Sequence, residues 1–283
     1  MLPAFLITFR EALEAALIIA NIIAYLTKIG RKDLNRYVWI GSGLAVAASV
    51  LAGAALLFTY TSLEGVAEQL FEGTAALLAT VVLTSMIFWM GKNANRIKGE
   101  LEQKVDVSIS TMHLVGIASI AFIAVFREGI ETVLFLTALF GIDFAGTAAG
   151  MAAGLALVAA LGYLLIKGTV KLPLRQFFKY TSVLLIVFAA GLFGYGVHEY
   201  IEALEGSGTE LGILAEPAFN LNPADASGPL HEKGAVGSIL KALVGYDGNP
   251  ELLRVLAYLG YWAVVGAYFF AIYSQPQREA KSH

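Results

Sequence analysis

Arg10, Glu11 and Glu14 stand together in an otherwise apolar run covering residues 2–26. Arg127, Glu128 and Glu131 repeat the same residue types at the same spacing inside a second apolar run. Carboxylates spaced three residues apart can share a hard cation or a proton. An arginine one turn away can hold a carboxylate in place with its planar fork. On a helix the three groups of each set fall within an arc of about 100°. Each set is therefore one charged stripe on an apolar cylinder.

Neither stripe can face lipid. Three such groups at mid-membrane cost roughly 8–10 kcal/mol, and ten or so Leu, Ile and Phe residues offset only about 5 kcal/mol. The stripes must face each other or a wet cavity. An ion-pair network that merely fixes helix register needs one arginine and one glutamate. Each stripe here has one glutamate more than its arginine neutralises, and the six groups sum to −2 when ionised. A buried surplus of negative charge attracts a cation or takes up protons. The pattern points to a cation pathway, with the arginines fixing the carboxylates. The ligands on offer are oxygens. The chain has no cysteine, and Met86 and Met90, one turn apart, read as core filling. Cu(I) is disfavoured and Zn(II) is not suggested. Fe(III), Mn(II), Ca(II) and Mg(II) remain, with Fe(II) at the border.

The elements that carry the stripes follow from composition. The 283 residues are 58% hydrophobic and only 14% charged, whereas a soluble domain is about a quarter charged. The expected fold is all-α: a polytopic membrane protein with seven transmembrane helices. The spans fall at about 3–27, 37–60, 66–91, 111–140, 144–167, 179–203 and 252–274, each near the roughly 20 residues that cross a bilayer. The first apolar run has no basic residues before it and carries three charges, so it reads as a membrane helix and not as a cleaved leader. Of the 19 basic residues, 14 lie on alternate connections and the tail. The positive-inside rule then puts the N-terminus outside and the C-terminus in the cytoplasm. Spans 1 and 4 run in opposite directions, so spans 1–3 and 4–6 form a 3+3 inverted repeat with span 7 added. Gly146, Gly150 and Gly154 on span 5 mark a helix-packing surface.

The outer side is acidic. Glu68 and Glu72 lie one turn apart at the outer end of span 3, and His198, Glu199 and Glu202 lie at the outer end of span 6. Solvated helix ends would account for them; an outer vestibule that concentrates cations would account for them equally well. Residues 204–251 form a long extracytoplasmic loop, with one short helix around 235–244. The whole chain is one transmembrane domain.

The strings REALE at 10–14 and REGIE at 127–131, each preceded by Phe, resemble the R-E-x-x-E signature of the oxidase-dependent, high-affinity iron permease family. Seven spans with the motifs in spans 1 and 4 resemble it too. The resemblance implies a transporter that moves iron into the cytoplasm and does no covalent chemistry. Glu11, Glu14, Glu128 and Glu131 would bind the ion, and Arg10 and Arg127 would position them. Iron is then the substrate, with no cofactor permanently bound. The ion is expected as ferric, supplied by a partner oxidase or iron-delivery protein on the outer side of a plasma or inner membrane. No nucleic acid is implied. Some family members carry Asp-Ala-Ser-Glu before the last span. Here Asp225-Ala226-Ser227 is followed by Gly228, and the nearest acid is Glu232, which puts metal hand-off at that loop in doubt. Another hard or divalent metal (Mn, Pb, Ca) is the alternative cargo. An intramembrane di-iron carboxylate oxidase is a further alternative. It would need two Glu-x-x-His motifs on facing helices, and the sequence has none.

Overall fold

The computed structural model describes residues 1–93, 99, 103, 105–107, 114–166, 174–222, 231 and 234–273. Their long helices are α1 (Leu2–Lys28), α2 (Asn35–Thr61), α3 (Val66–Asn93), α4 (Leu114–Ile142), α5 (Phe144–Ile166), α6 (Leu174–Gly206) and α8 (Leu252–Tyr273), with a short α7 (Ala235–Val244) before the last. Among the described residues there is no strand, only an isolated antiparallel bridge between Pro217 and Glu251. The chain is an all-α polytopic membrane protein. Helices α2, α3, α5, α6 and α8 are long and apolar enough to cross a bilayer. Helices α1 and α4 match them in length, at 27 and 29 residues, and carry the charged stripes. The loop helix falls where the sequence places it. Helix α6 starts earlier and ends later than expected; Leu204 and Glu205 are good helix formers and prolong its end. The segment 225–228, Glu232, and the basic residues Arg96, Lys98, Lys104, Lys167, Lys171, Arg278 and Lys281 lie outside the described residues.

Local chemistry sets the helix ends. Pro3 occupies the first turn of α1, where no intrahelical donor is needed. The same helix stops at Gly30, whose φ of +76° is a left-handed conformation that favours glycine. Gly30 N–H then donates to Thr27 O and Arg31 N–H to Leu26 O, capping two orphan carbonyls. Asp143 accepts from the Gly146 N–H at 2.9 Å and turns the chain sharply from α4 into α5.

Three close helix pairs build the bundle: α2 on α4, α5 on α1, and α3 on α6. Each uses small residues, so backbones approach closely. A Cβ on Gly41 of α2 would lie 2.1 Å from Ala118 O of α4. Gly150 and Gly154 of α5 press on the backbone of α1 at Met1, Phe5 and Phe9, so the glycine row serves packing. Gly73 of α3 meets Gly196 of α6. Helix α2 thus lies along α4, and α5 along α1.

Two hydrophobic cores result. One gathers Ala4 and Ile7 of α1, Phe135 and Leu139 of α4, and parts of α3, α6 and α8. The other gathers Ile22 and Leu26 of α1, Leu34 and Val38, and Ile117 and Ala121 of α4. Both charged stripes fall between these cores along α1 and α4.

Candidate metal centre between α1 and α4

The stripes meet inside the bundle. Glu11, Glu128 and Glu131 each present a carboxylate oxygen, and the three oxygens lie within 4.8 Å of one another. Oxygens around one hard cation sit about 2.0–2.6 Å from it, and hence up to roughly 4–5 Å apart. The spacing therefore suits a single ion. All three residues are more than nine-tenths buried. Each also has one carboxylate oxygen (Oε2 in every case) that is buried without a hydrogen-bond partner. Buried carboxylate oxygens are rarely left so, because desolvating them without compensation is costly. Among the described residues this is the one place where three or more such ligand atoms converge.

The arginines stand beside the carboxylates. Arg10 is fully buried. Its Nη1 donates to Glu11 Oε1 at 3.4 Å, and its Nε lies 3.1 Å from Glu14 Oε1. The latter distance makes an ion pair, but its angle falls short of a hydrogen bond. Arg127 Nε donates to Glu131 Oε1 at 2.9 Å, and its guanidinium lies 5.0 Å from the ring centre of Trp89. Glu14 stands outside the converging three, so the group that meets α4 from α1 is Glu11. Angular position on the helix does not reveal this. Sequence reasoning also missed Met90. Arg10 Nη2 donates to its Sδ at 2.8 Å, so Met90 does more than the core filling that Met86 provides.

The remaining acidic residues form a second region at the far end of α3 and α6. Glu72 rests over Gly141, where a Cβ would come within 2.7–2.9 Å of its carboxyl group, and it accepts a hydrogen bond from Tyr195. Glu199 is buried next to the same tyrosine. Glu68 is half-buried one turn before Glu72. Glu202 is exposed; it accepts from Gln69 at 2.9 Å and pairs with His198 at 3.4 Å. On its other side, His198 Nδ1 donates to Glu251 Oε1 at 2.7 Å. Burial disfavours the Glu251 carboxylate, but the His198 hydrogen bond, a backbone hydrogen bond and the nearby charges of His198 and Arg254 together outweigh it and hold the group below its ordinary range. Glu251 also sits in the bridge to Pro217, so the long loop is fastened to the bundle here. These residues link α3, α6 and the loop in a chain and do not point at one centre. Glu251 and Tyr195 carry no sequence signal, since each owes its place to a distant partner.

An oxygen-lined, anionic centre closed between apolar cores of a polytopic bundle is the equipment of a cation transporter. The chain belongs to the iron permease FTR1 family, whose model matches residues 1–272; it is a multi-pass integral membrane transporter and not an enzyme. An uncharacterized protein of Archaeoglobus fulgidus is 42% identical over 266 residues, covering 94% of this chain and 93% of the relative. The ferrous iron permease EfeU of Escherichia coli O6:H1 is 35% identical over 267 residues, covering 92% of each chain. The ferrous iron permease EfeU of Yersinia pestis is 34% identical over 267 residues, covering 92% and 90%. No solved structure matches.

Proposed function

We propose that the chain carries iron into the cytoplasm through the carboxylates of α1 and α4. The observation that carries this reading is the set of three buried, unpartnered oxygens on Glu11, Glu128 and Glu131. Glu14 is the fourth ligand, reached once its pairing with Arg10 loosens. Arg10 and Arg127 hold the carboxylates and limit proton uptake. Seven spans cross the membrane, the N-terminus lies outside, and the mutual packing of α2 on α4 and α5 on α1 supports a 3+3 inverted repeat. The core around Ile7, Phe135 and Leu139 then seals the site from outside, and the core around Ile22, Leu26 and Ile117 seals it from inside. Transport requires these seals to open in turn. Glu68, Glu72, His198, Glu199 and Glu202 line an outer vestibule on the way in.

A hard oxygen set without thiolate suits ferric ion, supplied by a partner oxidase on the outer side. A second reading, ferrous cargo, is favoured by the name of the EfeU relatives. The test is iron uptake by the purified chain in proteoliposomes, with iron held reduced by ascorbate in one arm and presented as ferric citrate in the other. Uptake from the ferric arm alone supports the first reading, and uptake from the reduced arm alone supports the second. Competition with Mn(II), Pb(II) and Ca(II) shows whether the site prefers iron. If a reporter fused after residue 100 reads external and one inserted near residue 225 reads cytoplasmic, the orientation is wrong.

A further inference from the structure

We infer that two consecutive residues of α3, Trp89 and Met90, are positioning residues for the metal centre, each holding one of the two stripe arginines. This rests on the transport reading above and adds a third helix to it. The stripes sit on α1 and α4, yet neither arginine is held by its own helix alone. Arg10 Nη2 donates to Met90 Sδ at 2.8 Å, and Arg127 lies 5.0 Å from the ring centre of Trp89.

The chemistry of these partners is specific. A buried guanidinium has five N–H groups to satisfy, and in an apolar bundle each unsatisfied one is costly. A carboxylate at the Met90 position would satisfy Arg10 but also neutralise it, and Glu11 and Glu14 would lose their counter-charge. A thioether is a weak, uncharged acceptor. It takes one N–H and leaves the full positive charge for the glutamates. Trp89 does the same for Arg127 by another route. The face of an indole attracts a guanidinium through its quadrupole, with no charge of its own. Arg127 is half-exposed, while its partner Glu131 is nearly buried. Without the ring behind it, the guanidinium is free to leave Glu131 for open space. Both α3 partners thus aim an arginine at its carboxylates without competing for it. Because Trp89 and Met90 adjoin on one helix, a shift of α3 moves both arginines together. That coupling makes the carboxylate charge at the centre responsive to α3.

The test compares removal with conservative repair. Met90→Leu keeps volume and removes the acceptor, whereas Met90→Gln restores a neutral acceptor. Trp89→Leu removes the aromatic face and Trp89→Phe keeps one. In proteoliposomes, both Leu variants are expected to raise the KM for iron about five- to tenfold with little change in Vmax. The Gln and Phe variants are expected to return to within about twofold of wild type. An independent arm uses terbium(III), a hard cation whose emission is sensitised by a nearby tryptophan. Purified Met90→Leu should bind it five- to tenfold more weakly than wild type, and Met90→Gln should recover. Wild-type KM in both Leu variants, with wild-type terbium affinity in Met90→Leu, overturns the proposal. So does a loss that Gln and Phe leave unrepaired, because that outcome belongs to packing alone. If the wild-type chain moves no iron, the transport reading fails, while the terbium arm still decides this one.

Discussion

The two stripes share a sequence pattern but occupy different surroundings. On α1, Arg10 is fully buried and stands within 3.4 Å of both Glu11 and Glu14, with Met90 on a third side. On α4, Arg127 is half-exposed and pairs with Glu131 alone, while Glu128 has no arginine partner among the described contacts. Both stripes carry the same surplus of one negative charge when ionised, but on α1 Arg10 is shared by both glutamates, whereas on α4 the unpaired carboxylate is Glu128. A repeated motif therefore does not make two equivalent half-sites. One stripe is mainly a clamp that contributes Glu11, and the other contributes two of the three converging ligands.

The largest expected effect tests that division directly. Glu128→Gln and Glu131→Gln, and Glu11→Gln on the other stripe, should each lower iron uptake by about 100-fold, since removing one charged partner from a buried set costs about 3 kcal/mol. Glu14→Gln should cost only about tenfold, because Glu14 lies outside the group of three. The measurement is initial uptake into proteoliposomes, normalised to inserted protein. Equal losses for Glu14→Gln and Glu131→Gln would restore two equivalent half-sites and sink the asymmetry.

The arginines come next, and the readout is stability. Arg10→Leu removes the fully buried cation that Glu11 and Glu14 share, and breaking a buried pair in that way costs about 3–5 kcal/mol. Arg127→Leu should cost about 1 kcal/mol, because a half-exposed group gains less from its pairing. Thermal unfolding of the detergent-solubilised variants checks this. The comparison fails if Arg127→Leu proves the less stable of the two.

Much of this was legible in the sequence, and the reason is energetic. The penalty for charge in hydrocarbon is large enough that both stripes could be turned away from lipid from position alone, although Arg127 itself is half-exposed. The apolar stretches gave the helices for the same reason. What could not be read was which carboxylate of α1 meets α4. An arc of about 100° confines a stripe without pointing it, so Glu11 and Glu14 stood as equal candidates in the sequence. Trp89 and Met90 were invisible for another reason. An apolar residue in an apolar helix carries no sign that a guanidinium will lie against it. Helix pairing was hidden in the same way, since Gly41 and Ser49 are ordinary small residues until α4 is laid against them.

The smallest expected effect arises where the two motifs differ in sequence. The residue after the first glutamate is Ala12 on α1 and Gly129 on α4. The neighbouring helix explains the difference. At Gly129, α2 runs so close that a Cβ would lie 2.1 Å from Ser49 Oγ and 2.8 Å from Ser49 Cβ. Gly129→Ala makes the two motifs alike at this position and forces the contact. Ser49 is buried and donates to Ala45 O at 2.9 Å, so it cannot move without losing that bond. Overpacking of this kind costs about 1–3 kcal/mol. The clash with Ser49 Oγ can be partly relieved by rotation, which places the effect at about 1 kcal/mol. Because Gly129 lies between Glu128 and Glu131, the displaced helix also carries two ligands with it, and uptake should fall about two- to fivefold. Gly129→Ala combined with Ser49→Gly should recover both stability and uptake, since the second change vacates the space the first one fills. Ala12→Gly on α1 should shift uptake by less than twofold. A loss in the double variant as large as in Gly129→Ala alone would mean that the glycine serves the backbone of α4 itself. The contrast between the motifs would then owe nothing to α2.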